Sequence, residues 1–200
     1  MKFAVLGTGM VGQAIGGKLV SLGHEVAMGG RESLNAKGQE WAASAGARAS
    51  YGSFRQAAGF GDIVINATAG GASLQALQAA GAEALAGKVL IDIANPLDFS
   101  HGMPPTLSVI NTDSLGEQIQ RAFPQTRVVK TLNTLSCKLM VNPGAVALGD
   151  HSLFISGNDA PAYASTRVFT VEAMWSRPMR MPAAVRSSCR RRCASTAPPP

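Results

Sequence analysis

Cysteine is scarce in this chain: three residues among 200, an odd number that builds no disulfide framework. Cys137 lies within the main body of the chain and reads as an inert buried thiol. Cys189 and Cys193 flank three arginines with no histidine or second cysteine pair nearby, which is poor ligand spacing for zinc, so no metal site is expected. Also missing is an apolar run of membrane-spanning length, and the chain starts directly on an apolar strand with no charged leader ahead of it. These absences predict a cytoplasmic protein with no membrane partner. A spread of basic charge is missing too. The formal net charge is +6, yet residues 1–163 carry eleven Lys or Arg against eleven Asp or Glu, while residues 164–200 carry seven Arg, no Lys and Glu172 alone. The balanced body has no basic footprint, so nucleic acid is not an expected partner. The length fits one domain with an appendage.

What is present starts at the first residue. Phe3 to Leu6 is an apolar run that leads into Gly7-Thr8-Gly9-Met10-Val11-Gly12, and Val11, Ile15, Leu19 and Leu22 follow at helical spacing. A strand, a G-x-G-x-x-G turn and a helix in this order form a dinucleotide site. Gly7 makes the tight turn, Gly9 lets the backbone approach the pyrophosphate, and Gly12 lets the helix pack against the strand. The N–H groups at the helix start then face the anion. The ribose-reading position falls after the second strand, Glu25 to Met28, where the sequence runs Gly29-Gly30-Arg31-Glu32. Arginine suits a 2′-phosphate and a carboxylate repels it, so NADP is the expected cofactor, with Lys37 within reach of the same phosphate. Two readings compete: Glu32 as an NAD-type carboxylate one residue late, and Arg31 as a solvated loop charge.

Further along, helices are expected over 33–45, 56–60, 73–85 and 114–123, with Ser73 and Ser114 as N-caps and Glu117 completing a capping box. Strands are expected at 48–51, 62–68, 89–94, 128–132 and 152–156. Near-continuously apolar strands alternating with helices predict an α/β, Rossmann-type doubly wound parallel sheet. Its ligand crevice lies outside the carboxyl ends of the strands. Thr68, Ala69, Gly70, Gly71, Asn95 and Asn133 mark those ends, and Thr68, Ala69 and Asn95 join Gly7 to Gly12, Gly30 and Arg31 as candidate cofactor contacts. Each could equally be turn chemistry. No catalytic residue is assigned. His24 and His151 read as structural, His101 as a loop histidine facing solvent, with an approach to the acceptor as the alternative, and Lys130 as a strand-end lysine reaching solvent, with the cofactor edge as the alternative.

The runs FAVLGTGMVGQAIGGKLVSLGHEVAMGGRE, DIVINAT, VLIDIANPLDF, SLGEQIQRAFP, RVVKTLNT and FISGND, spread in order over residues 1–160, resemble the NADP oxidoreductases of the coenzyme F-420 (F420)-dependent type. The resemblance implies a Rossmann domain that binds NADP and passes hydride between NADPH and a small-molecule redox acceptor, the deazaflavin F420 as co-substrate, in a homodimer. It also implies a hydroxyl residue followed by Arg after the second strand. Arg31 matches, whereas Gly30 stands in the hydroxyl position.

The resemblance ends near Tyr163, where relatives continue with a helix, a strand and a small helical portion that closes the acceptor site. Residues 1–160 are therefore read as the NADP-binding domain and 161–200 as an Arg/Pro/Ser-rich tail, disordered or frameshifted. Its composition is that of a GC-rich gene read out of phase; an unbroken reading frame through this junction in several isolates would overturn that reading. The alternatives are an NADP-binding sensor or remnant without turnover and, behind it, a nucleic-acid binder acting through the tail.

Overall fold

The computed structural model describes residues 1–146 and 152–168. Seven strands form one sheet: β1 (Lys2–Leu6), β2 (Glu25–Gly30), β3 (Ala49–Ser53), β4 (Ile63–Asn66), β5 (Val89–Asp92), β8 (Arg127–Thr131) and β9 (Ile155–Gly157), in the order β3-β2-β1-β4-β5-β8-β9. Between β5 and β8 the chain adds a small antiparallel hairpin, β6 (Leu97–Asp98) with β7 (Thr106–Leu107). The helices are α1 (Met10–Ser21), α2 (Ala36–Ala45), α3 (Phe54–Phe60), α4 (Gly70–Ala80), α5 (Ala82–Leu85), α6 (Leu115–Ala122), α7 (Cys137–Val141) and α8 (Ala160–Val168).

Side-chain alternation along the strands divides the core into two layers. Phe3 and Val5 of β1 face α1, α2 and α7 and pack with Ile15, Leu19, Trp41 and Met140. Ala4 and Leu6 face the opposite way, onto Phe54, Ala57, Leu77 and Ile119 of α3, α4 and α6. Both faces of the sheet are covered, which is why these strands read as apolar runs. The strand order reverses between β1 and β4, and this puts the carboxyl ends of those two strands at the switch point where open α/β sheets bind ligands.

The α/β Rossmann-type expectation holds, with local corrections. β9 pairs antiparallel with β8, so the sheet is parallel only from β3 to β8. The second helix starts at Ala36 rather than residue 33, because Asn35 caps it by accepting from the Gly38 N–H. The helix expected over 73–85 starts at Gly70 with Ala69 as N-cap and breaks at Gly81, whose φ is +93°. Ser73 is not a cap: it is buried inside that helix, where the side chain of Asn66 draws in its hydroxyl. Just past the expected boundary at 160, α8 packs Ala162 into the core. The rest of the tail, with Cys189 and Cys193, lies outside the described residues, as does His151.

Ser114 caps α6 as expected, accepting from the Glu117 N–H at 3.2 Å, but the capping box is not completed: the Glu117 carboxylate accepts from the Ser114 hydroxyl at 2.8 Å, and the Ser114 N–H goes to Asp113 instead. Next to it the Arg121 guanidinium grips Asp113 with two bonds of 3.0 and 2.7 Å, and Gln118 and the Ser114 N–H add two more. The Arg121 bonds, followed by that of Gln118, lower the Asp113 pKa to about 2. A depressed carboxylate stabilises the fold above its unfolded pKa of about 3.9 and loses that contribution as pH falls through the folded value. Nuclear magnetic resonance titration is expected to place the Asp113 midpoint near 2. Asp113→Asn is expected to flatten the stability change between about pH 4 and pH 2. An ordinary midpoint would show that the Arg121 fork does not persist in solution.

Candidate cofactor site at the carboxyl edge of the sheet

The turn after β1 is held from three sides. The Gly7 N–H donates to the Gly29 carbonyl at 2.9 Å, the Ala67 N–H donates to Leu6 at 2.9 Å, and the Gln13 amide donates to the Thr8 carbonyl at 3.1 Å. Gly7 has φ +123°, and a Cβ there would lie 2.5 Å from the Ala67 carbonyl oxygen. A Cβ on Gly12 would run into the Gly7 carbonyl, so the first turn of α1 packs directly on the loop. Gly9 differs from both. It is exposed, its φ of −76° suits any residue, and a Cβ there would meet nothing within 4 Å.

No side chain caps the start of α1, and Met10, Val11 and Gly12 occupy its first turn, where backbone N–H groups have no carbonyl four residues back. A tight loop, an uncapped helix start and open space over Gly9 make a cradle that fits a pyrophosphate. The Met10 side chain is 73% exposed and leaves the backbone accessible. Thr8 is half-buried, and its carbonyl is held by Gln13.

At the tip of β2, Gly30 is the last strand residue and Arg31 the first of the loop. Arg31 is exposed, and among the described residues its guanidinium forms no ion pair, with Glu32 or with any other carboxylate. Lys37 is exposed on the first turn of α2.

The remaining strand ends are joined by a buried polar network that the sequence reading missed. Asn66 at the end of β4 donates to Ser73 at 3.0 Å and to Asp92 at 2.8 Å, while its own oxygen accepts from the Thr68 hydroxyl at 2.7 Å. Asp92 at the end of β5 has no exposed surface and accepts further from the Ala94 N–H at 3.2 Å and from Lys130 at 2.8 Å. Lys130 also donates to the Ala94 carbonyl. The expectation of a lysine reaching solvent is therefore overturned: Lys130 turns inward because β5 and β8 set it in register with Asp92. The available signal was a lone carboxylate closing the apolar run Val89-Leu90-Ile91-Asp92, since such a group needs a cation and donors when buried.

Asn95 and Asn133 exchange bonds: the Asn95 amide donates to the Asn133 backbone carbonyl at 2.7 Å, and the Asn133 amide donates to the Asn95 side chain at 3.1 Å. The α4 start closes on this clasp, since a Cβ on Gly70 would strike the Asn95 carbonyl. Thr68, Ala69 and Asn95 therefore line one edge together with the Gly7–Gly12 loop. The Thr68 hydroxyl and the Asn95 amide are committed to the protein, and Ala69 is exposed.

His101 is exposed in the loop that joins β6 to β7, and His24 sits at the opposite, amino edge, 5.1 Å from the Phe3 ring, where burial lowers its pKa. A cavity of about 560 Å³ opens at that same amino edge, lined by Met1, Gly23, Glu25 and Arg48. It lies at the wrong ends of the strands for a dinucleotide. Among the described residues no group of three or more His, Cys, Asp or Glu could hold a metal ion, and no helix is long and apolar enough to cross a membrane.

Comparison with known proteins follows the same outline. The family model described as NADP oxidoreductase, coenzyme F420-dependent, matches residues 2–96. A crystal structure from Arthrobacter sp. FB24, provisionally described as an F420-dependent NADP-reductase, is 53% identical with a TM-score of 0.82, over 86% of this chain and 80% of that one. More distant structures share the fold. One is an imine reductase from Streptomyces aurantiacus, 20% identical, with a TM-score of 0.59 over 88% of this chain and 53% of that one. Another is a pyrroline carboxylate reductase from Plasmodium falciparum with NADP bound, 15% identical, with a TM-score of 0.55 over 86% and 55%. No curated protein matches. A glycine loop, an unpaired arginine at the second strand tip and a near relative aligned over most of both chains lead to one conclusion: the chain belongs to the coenzyme F420-dependent family of NADP oxidoreductases.

Proposed function

We propose that this NADP-dependent oxidoreductase transfers hydride between NADP(H) and the deazaflavin F420, a small-molecule redox acceptor. The observation that carries the cofactor half is the pairing of an open glycine cradle at Gly9 with an unpartnered Arg31 at the β2 tip. Backbone N–H groups from Thr8 to Gly12 hold the pyrophosphate over the turn that Gly7 makes, and Arg31, assisted by Lys37, meets the 2′-phosphate. Thr68 and Ala69 form the wall beside the loop, with Asn95 beyond them. Bound NADPH supplies the hydride. The chain itself contributes position and exclusion of water, because stacked rings with close donor and acceptor carbons need no obligatory acid or base. Support for a flat aromatic acceptor comes from the segment that follows Asn95, where Leu97, Phe99, Met103, Leu107 and Ile110 are all exposed. Exposed apolar side chains clustered beside a crevice are a surface on which a planar ring can bury area.

The first test titrates the protein with NADPH and with NADH, following nicotinamide fluorescence. NADPH is expected to bind at least about tenfold tighter, and Arg31→Ala is expected to cut NADPH affinity about 10- to 100-fold while leaving NADH unchanged, the value of one charge-assisted contact. Equal affinities in the wild type would remove the 2′-phosphate reading. Oxidation of NADPH is then followed with F420 or a flavin as acceptor. Turnover with F420 alone supports the assignment, turnover with flavin alone reassigns the acceptor, and binding without turnover on either makes the chain an NADP sensor.

A further inference from the structure

The β2–α2 loop carries Arg31 and is short of hydrophobic anchors: Arg31, Glu32, Ser33 and Leu34 are all exposed. One side chain from outside pins it. Tyr51 of β3, in register with Met28 of β2, lays its ring across the tip of β2 and the first turn of α2. A Cβ at Gly30 would run into the Tyr51 hydroxyl and lie 3.2 Å from Cζ, and one at Gly38 would lie 2.7 Å from the ring Cγ. Hydrogen alone at both positions opens the slot that the ring fills. Within it the phenol donates to the Glu32 backbone carbonyl, one residue beyond Arg31. Asn35 closes the far end of the loop by capping α2. Burial, the largest influence, raises the phenol pKa and outweighs the lowering by the Asn35 backbone amide, so the hydroxyl remains a protonated donor at neutral pH.

We propose that Tyr51 is a positioning residue for cofactor choice: by fixing the carbonyl of Glu32 it holds Arg31 at the β2 tip, where the ribose is read, and so produces the preference for a 2′-phosphate. An arginine on an unpinned loop would give up side-chain and backbone freedom on meeting the phosphate, whereas a pinned loop has already given up the backbone share. The proposal rests on the reading that Arg31 meets the 2′-phosphate.

Tyr51→Phe keeps the ring and removes the one donor. Dissociation constants for NADPH and NADH are measured by fluorescence titration in four proteins: the wild type, Tyr51→Phe, Arg31→Ala and the double variant. Tyr51→Phe is expected to weaken NADPH about 3- to 10-fold, the value of one hydrogen bond, with NADH unchanged. Unchanged NADH binding also reports that the domain is folded. In the Arg31→Ala background the same change is expected to have no further effect, because the tyrosine acts through the arginine. Equal loss for both cofactors, no loss for either, or full additivity in the double variant would overturn the role of Tyr51. Arg31→Ala with an unaltered NADPH to NADH ratio would instead overturn the underlying site.

Discussion

Gly12→Ala is expected to abolish tight NADPH binding and to destabilise the fold at the same time. The added methyl would collide with the Gly7 carbonyl oxygen and lie 3.0 Å from its carbon, and both are backbone atoms of a loop already bonded to Gly29 and to Gln13. The loop cannot yield cheaply, so α1 shifts outward; overpacking of this kind costs about 1–3 kcal/mol. The shift also moves the N–H groups proposed to hold the phosphates. Loss of two charge-assisted bonds of about 1.5–3 kcal/mol each lowers affinity by at least about 100-fold. Gly9→Ala separates the two effects. Its φ of −76° and ψ of 178° accept alanine, and the methyl meets nothing within 4 Å, so stability should change by less than about 1 kcal/mol. That empty space is where the pyrophosphate is proposed to lie, and NADPH affinity is expected to fall at least about tenfold. Thermal melts with and without NADPH distinguish the variants. Wild-type binding by Gly9→Ala would show that the loop is not the phosphate cradle.

Asp92→Ala is the substitution expected to damage the fold most. The carboxylate is fully buried and satisfies three donors: Asn66, the Ala94 N–H and the Lys130 ammonium. Removing it strands a cation whose side chain is only 21% exposed, together with an amide and a backbone N–H. Breaking one half of a buried pair costs about 3–5 kcal/mol, a large share of the 5–15 kcal/mol or so that holds a domain together. The expected fall in melting temperature is roughly 6–20 °C. Asp92→Leu combined with Lys130→Met is expected to recover part of that loss, since removing both charges leaves no uncompensated ion. A single Asp92→Ala variant within about 1 kcal/mol of wild type would mean that Lys130 finds water instead. Because Asn66 joins Asp92 to Thr68 and Ser73, the same substitution should loosen the β4 strand end beside the glycine loop.

Most of the architecture was legible before the fold was known, for local reasons. Phe3 to Leu6 followed by G-x-G-x-x-G and an apolar helical stripe can be read from neighbours in the chain, because turn glycines and helical periodicity are short-range properties. The Ser114 cap and Arg31 at the second strand tip were readable for the same reason. Errors occurred where a side chain found a partner distant in sequence. Ser73 looked like a cap until Asn66, seven residues away, took its hydroxyl. Lys130 looked like a solvent-seeking lysine until Asp92, 38 residues away, met it across paired strands. Tyr51 carried no signal at all, since its bond to Glu32 and its slot between Gly30 and Gly38 exist only once β3 lies beside β2.

By itself, then, the sequence determined the Rossmann class, the glycine loop after the first strand and the cationic strand tip, all products of spacing and backbone chemistry within a few residues. Tertiary structure alone decided which polar groups are committed to one another and which remain free for a ligand. Burial turns an isolated carboxylate or amide into a group that must find a partner, and only strand register says which partner is in reach.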